Sequence, residues 1–299
     1  MSKFFIVFLG LVSGPVTLFG QTQQQQETPP PPLSTPPRIV GQAQSQAELE
    51  AWNIVQQAAA REEQIRLCKE FLQNYPESGL TPFAHHLLAK AYGPEDPEKF
   101  ILHAEEALRE LDNLPGITAM LAFFYAERGE DQKAMSRAQQ TLDVLGRMEK
   151  PIQVTAAQWT KHRYEVSDQA HYALGRALLN QSRGPGREAN LAKAVDHLEQ
   201  ALRQSPTDSY ACFRLGEAYT RQREYEKAIE AYARTVALGG VIAQYARPHL
   251  EEVYKDVHES TDGMEDAVSE QQKIIQEAMA EREQELQKLQ VPEPSQPPQ

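Results

Sequence analysis

The sequence predicts an all-α chain, a solenoid of antiparallel helix pairs, on three observations. Within 209–240, SYACFRLGEAYTRQREYEKAIEAYARTVALGG, large residues fall in two bursts at helical spacing, Leu215 to Tyr219 and Ile229-Tyr232-Val236. A polar turn, Arg221 to Glu224, separates them, and small residues at Gly216 and Ala228 let two helices approach closely. The same pattern returns upstream, where Thr81 to Pro115 is one period of 34 residues.

The stretch resembles a tetratricopeptide (TPR) repeat. Leu215, Gly216, Tyr219, Ala228 and Tyr232 stand at the spacings of that family's L-G-x-x-Y and A-x-x-x-F positions, while Cys212 replaces the usual Trp and Gly240 the closing Pro. The resemblance implies a right-handed solenoid that acts as a binding scaffold.

Taken in order, residues 1–20 carry one Lys and an apolar run broken by Gly10, Gly14 and Pro15. The run is shorter than the ~20 residues a spanning helix needs, so it reads as a signal peptide cut near Gly20. An uncleaved N-terminal anchor is the alternative, and the only membrane association the sequence suggests. The implied location is exported, periplasmic or extracellular. Residues 21–46 are dominated by Gln and Pro, which cannot bury apolar surface, and read as a disordered linker.

The solenoid is expected over 47–290, about six helix pairs. The first pair, about 47–78, is a degenerate cap whose second helix places Ile65, Cys68, Phe71 and Leu72 on one face and stops at Pro76. The next, 81–114, turns Leu87, Leu88, Tyr92, Phe100, Ala104, Ala107 and Leu108 inward; the third, 115–148, does so with Leu121, Ala122, Tyr125, Ala134 and Ala138. From about 152 to 180 the pattern predicts one helix on the order of 40 Å long, ending in Leu174, Gly175 and Leu178. The loop 181–190 then holds about seven residues beyond the repeat length, and the clear repeats 168–208 and 209–242 follow. A last pair begins near Ile242, its second helix running from about Met264 to Leu289; 291–299 reads as a disordered tail.

Function classes narrow by composition and motif. A net charge of -12 argues against nucleic acid as partner, since phosphate binding needs clustered Lys and Arg. No phosphate-binding loop, zinc-protease, nucleophile-elbow or EF-hand motif occurs, so no catalytic residues, metal site or cofactor are predicted. His85 and His86 are adjacent and point about 100° apart on a helix, which prevents a shared ion. The two cysteines, Cys68 and Cys212, read as small buried hydrophobes.

In the family the first helices of successive pairs line a concave groove that takes a protein or peptide. Its second, fifth, ninth and twelfth repeat positions select His85 and Tyr92, then Phe123 with Glu127 one place on, then Gln169, Tyr172 and Arg176. Tyr210, Phe213, Glu217 and Thr220 follow, and finally Tyr245, Glu252 and Lys255. Phe123 and Phe213 serve equally as packing between neighbouring helices. An envelope-assembly subunit is the alternative function, and a hydrolase or transferase on a TPR-like body has no motif behind it.

Overall fold

The computed structural model describes residues 38–184 and 186–290. The expected signal segment, most of the linker and the tail lie outside these residues. Among the described residues there are twelve α-helices and no strand. The first six are α1 (Gln46–Gln57), α2 (Arg61–Asn74), α3 (Thr81–Tyr92), α4 (Pro97–Leu108), α5 (Pro115–Glu127) and α6 (Asp131–Arg147). They continue with α7 (Ala156–Gln181), α8 (Arg187–Gln204), α9 (Ser209–Gln222), α10 (Tyr225–Leu238), α11 (Gly240–His258) and α12 (Met264–Lys288). The first ten pack as five consecutive hairpins, and α11 lies on α10.

Local chemistry starts and stops these helices where the sequence says it should. Pro82, Pro97 and Pro115 occupy first-turn positions, where a missing N–H costs nothing. Asp208 caps α9 by accepting from Tyr210 N at 2.9 Å and Ala211 N at 3.1 Å. Arg223 closes α9 at φ 65, the left-handed turn that lets the chain reverse into α10.

The hairpins close by matching a small residue on one helix to a large one on the next. A Cβ added to Gly216 would meet the Tyr232 ring at 2.6 Å, and one added to Gly175 would meet Leu198 at 2.6 Å. Where the equivalent first-helix residue is Ala122 or Ala89, the partner position carries Ala138 or Ala104. All four of those alanines are fully buried. Gly216 faces Tyr232 of its own hairpin, where the ring leaves room only for hydrogen.

Three boundaries depart from expectation. Tertiary contacts already include Arg38, ahead of the expected start near 47: Arg38 forks onto Glu110 (2.7 and 2.8 Å) and also donates to Ser78 O at 3.0 Å. Gly41 N then donates to Gly79 O at 2.7 Å. α7 starts at Ala156, not near 152: Val154 N bonds back to Pro151 O in a turn, Thr155 and Gln158 form a capping box, and Ile152 is left 94% exposed. The insertion at 181–190 is largely absorbed into helix, for α8 has 18 residues against 14 in α10.

The last pair does not form as a hairpin. After Gly263 (φ +88) the chain swings away from α11, and α12 buries Met264, Gln271 and Ile275, packs on α10 and reaches back to α7. There Tyr164 Oη donates to Glu285 at 2.6 Å, and Arg282 lies 3.8 Å over the Tyr164 ring while donating to Arg203 O. The reach exists because α7 extends about three turns before its repeat motif begins.

Candidate binding cleft

The first helices of the hairpins, α3, α5, α7 and α9, are the elements that place side chains on the inner face. α5 packs closely on α7, whereas α3 and α5 touch little. A cleft of about 500 Å³ opens between α3, α5 and α7. Ile117 and Met120 of α5 and Val166 of α7 give it an apolar floor; His86 and Lys90 of α3 stand on one rim, His162, Glu165 and Gln169 of α7 on the other. Gly116 sits between the two sides, and a Cβ there would come no nearer than 3.9 Å to His162 and Val166. The far wall exists only because of the extra N-terminal turns of α7. Burial, then the charge of Lys90, holds His86 below the usual imidazole range, so at neutral pH it is an uncharged donor and acceptor. Apolar floor and polar rim together suit a side chain anchored by its hydrocarbon and oriented at its ends.

Further along, α5, α7 and α9 meet around one carboxylate. The Tyr172 hydroxyl donates to Glu127; Arg214 Nη2 lies 3.3 Å and Arg176 Nε 3.4 Å from the same group, and Arg214 also reaches Glu217 at 3.0 Å. Two arginines and two glutamates balance in charge. Burial, then the Glu127 charge, pushes the Tyr172 phenol far above its ordinary value, so it stays a donor. Above this network the rings of Phe123, Tyr172 and Tyr210 gather, with centroids 5.2, 5.5 and 6.1 Å apart.

The predicted groove residues divide accordingly. Phe123, Tyr172, Arg176, Tyr210 and Glu217 do come together. Tyr172, however, is 1% exposed and is a packed staple between helices rather than a surface offered to a partner. Tyr210, at 38%, remains reachable. Gln169 belongs to the cleft. Phe213 packs near Tyr232 and His249, and the Thr220 hydroxyl turns back to Gly216 O at 2.8 Å. Tyr245 (63%), Glu252 and Lys255 are exposed on α11.

His85 and Tyr92 are not groove residues. His85 turns into the α3–α4 seam, Nδ1 to His103 Nδ1 2.9 Å, and Tyr92 is buried with its ring stacked on His103 at 5.6 Å. Counting from Leu88, Ala89 and Tyr92, as from Leu215, Gly216 and Tyr219, puts His86 and Lys90 at the inner positions. Counting from Thr81 slips by one residue, which on a helix rotates the choice by about 100°. Arg214 was missed because it lies beside a groove position rather than on one.

Residues 187–240, which span α8 to α10, match the tetratricopeptide repeat family. No curated protein matches the chain. Among solved structures, the crystal structure of MamA protein is 18% identical, covering 72% of this chain and 99% of its own, with a TM-score of 0.38. A structure from the functional characterisation of Pseudomonas aeruginosa pilF is 16% identical over 81% of this chain and 95% of its own, with a TM-score of 0.41. The family match falls on the stretch that carries Leu198, Leu215, Gly216, Tyr219, Ala228 and Tyr232.

Proposed function

We propose that this TPR-repeat chain is a non-enzymatic scaffold that captures a protein or peptide segment in the cleft between α3, α5 and α7. The observation that carries the reading is the cleft itself, about 500 Å³ at the inner repeat positions, with a hydrocarbon floor and a rim of His86, Lys90 and Gln169. The ligand segment seats an apolar side chain on Ile117, Met120 and Val166 and bonds to the rim through its backbone or a carboxylate. Tyr210 and Glu217 extend the contact surface along the inner face. The fold itself is of the kind that serves protein–protein interaction.

Gly116 supplies the test. It has free space in front of it and no left-handed φ, so Gly116→Leu fills the cleft without crowding or straining the fold. From a displayed random-peptide library the wild type is expected to enrich a motif with a fixed apolar position, while Gly116→Leu melts no lower and enriches none. A wild type that selects no motif, or a variant that selects the same one, overturns the reading.

Export to the periplasm or cell exterior belongs to the same proposal and is supported by the apolar run within residues 4–20 alone. Among the described residues no helix is long and apolar enough to cross a membrane. Mass spectrometry of the fractionated protein is expected to find an N-terminus near Gln21 outside the cytoplasm. An intact Met1 or Ser2 overturns cleavage, and a cytoplasmic protein overturns export.

A further inference from the structure

Four of the eight histidines meet in two pairs. His85 Nδ1 lies 2.9 Å from His103 Nδ1 across α3 and α4, and His171 Nδ1 lies 3.1 Å from His197 Nδ1 across α7 and α8. The pairs are the same site built twice. His85 and His171 each stand three residues before the repeat's Leu88 or Leu174, at the position where the family carries Trp; His103 and His197 each stand one before the buried Ala104 or Leu198. The rings are alike in placement, with centroids 5.2 and 5.4 Å apart and planes at 37° and 29°. All four side chains are half-buried, so a small ion reaches them from solvent.

We propose that each pair is a bidentate site for a divalent late first-row metal ion, Cu(II) before Ni(II) or Zn(II). The geometry makes the choice. With metal–nitrogen bonds of about 2.0–2.1 Å, nitrogens 2.9–3.1 Å apart subtend about 90–100° at the ion, a cis angle of square-planar or octahedral coordination. A tetrahedral ion of the same bond length needs them about 3.4 Å apart. Imidazole ligands and the Irving–Williams order both favour copper. Without metal, one imidazole of each pair donates its Nδ1 proton to the other. On binding, the donor ring takes its other neutral tautomer, its proton lost from Nδ1 and regained from water at Nε2, so no net proton is released and both Nδ1 lone pairs then face the ion.

Among the described residues no third His, Cys, Asp or Glu completes either pair into a set of three. Water therefore fills the remaining positions, which makes the sites exchangeable rather than structural. Surrounding charge ranks them. Near the first pair lie Lys69, Lys99 and Arg109, of which Lys99 and Arg109 are ion-paired with Asp96 and Glu106, whereas the second has Arg203, itself paired with Glu199, and Asp196. The His171–His197 site fills first.

The test is a Cu(II) titration of the full chain, followed by calorimetry and by electron paramagnetic resonance, which counts coordinated nitrogens. Wild type is expected to take up two ions per chain with two imidazole nitrogens each. His103→Gln and His197→Gln are each expected to lose one, and the double variant both, with helix content checked by circular dichroism. His249→Ala, outside the pairs, keeps two. A wild type that binds no copper, a spectrum lacking paired imidazole nitrogens, or a double variant with undiminished uptake overturns the proposal. The wild-type spectrum decides the matter even where a variant fails to fold, because it reads the ligands directly.

Discussion

Tyr232 and Gly216 show how much a single hydrogen atom decides in this chain. The ring is 2% exposed and held on every side, so it cannot retreat from a Cβ at 2.6 Å. Gly216→Ala is therefore expected to cost about 1–3 kcal/mol despite the better helix propensity of alanine, and to cost less in a chain that already carries Tyr232→Ala, the pairing seen at Ala122 and Ala138. Chemical denaturation of the four chains of that cycle measures the coupling; an unaffected Gly216→Ala sinks the argument. Asp168 gives a second residue-scale case. Its Oδ1 is shut off from solvent without a hydrogen-bond partner, beside the α9 cap Asp208. Burial, and next the Asp208 charge, raises its carboxyl well above the ordinary range. The folded chain thus holds this proton where the unfolded chain has released it, so the group's contribution to stability falls as pH rises from about 4 toward the raised value. Asp168→Asn keeps the shape and removes the charge. It is expected to raise Tm at pH 8 by about 2–4 °C, the size of a 1 kcal/mol gain at this length, and to do little at pH 4. Equal effects at the two pH values would refute the assignment.

Among the elements, α7 and α12 depend on each other. α12 carries a mostly polar surface, and Ile275, 6% exposed, is one of the few side chains it buries. Ile275→Asp puts a charge into that seam and is expected to cost about 2–5 kcal/mol of α12 docking, seen as early proteolysis within 264–290 while α1 to α10 stay protected. Digestion no faster than wild type would show that the Tyr164, Glu285 and Arg282 contacts hold the helix alone. Helix existence was legible throughout, because a period of 3.6 with small residues at fixed places is local information. The start of α7 was misplaced by four residues for want of weight on Thr155 and Gln158, a capping box visible in the sequence. The departure of α12 from α11 was not legible. It rests on long-range contacts such as Tyr164 with Glu285, 121 residues apart, and periodicity says nothing about such a meeting.

At the scale of the whole molecule, the buried residues form a series rather than one core. One cluster runs from Trp52 and Val55 to Ala170, Ala173, Leu174 and Ala177, another from Tyr172 to Met264, and α7 contributes to both. Hydrogen exchange should therefore be slowest in α5, α7 and α9 and fastest in α1 and the last turns of α12, with no single global opening. Uniform protection from end to end would contradict a linear array. The site was half legible for the same reason. A repeat motif fixes which face of a hairpin looks inward, but not how far neighbouring hairpins stand apart. Close approach at α5, α7 and α9 buried Tyr172, while the gap at α3 and α5 made a cleft from His86 and Lys90, one residue from those the count had chosen. The two cysteines turn this series into a pair of clocks. Cys68 and Cys212 are both fully buried, and burial, foremost in each case, pushes each thiol up to about 12. At pH 7 only about one thiol in 10⁵ is reactive even before access is considered. Alkylation therefore proceeds at the rate at which the chain opens around each sulfur, and the two labelling rates time the N-terminal and C-terminal hairpins separately in one sample.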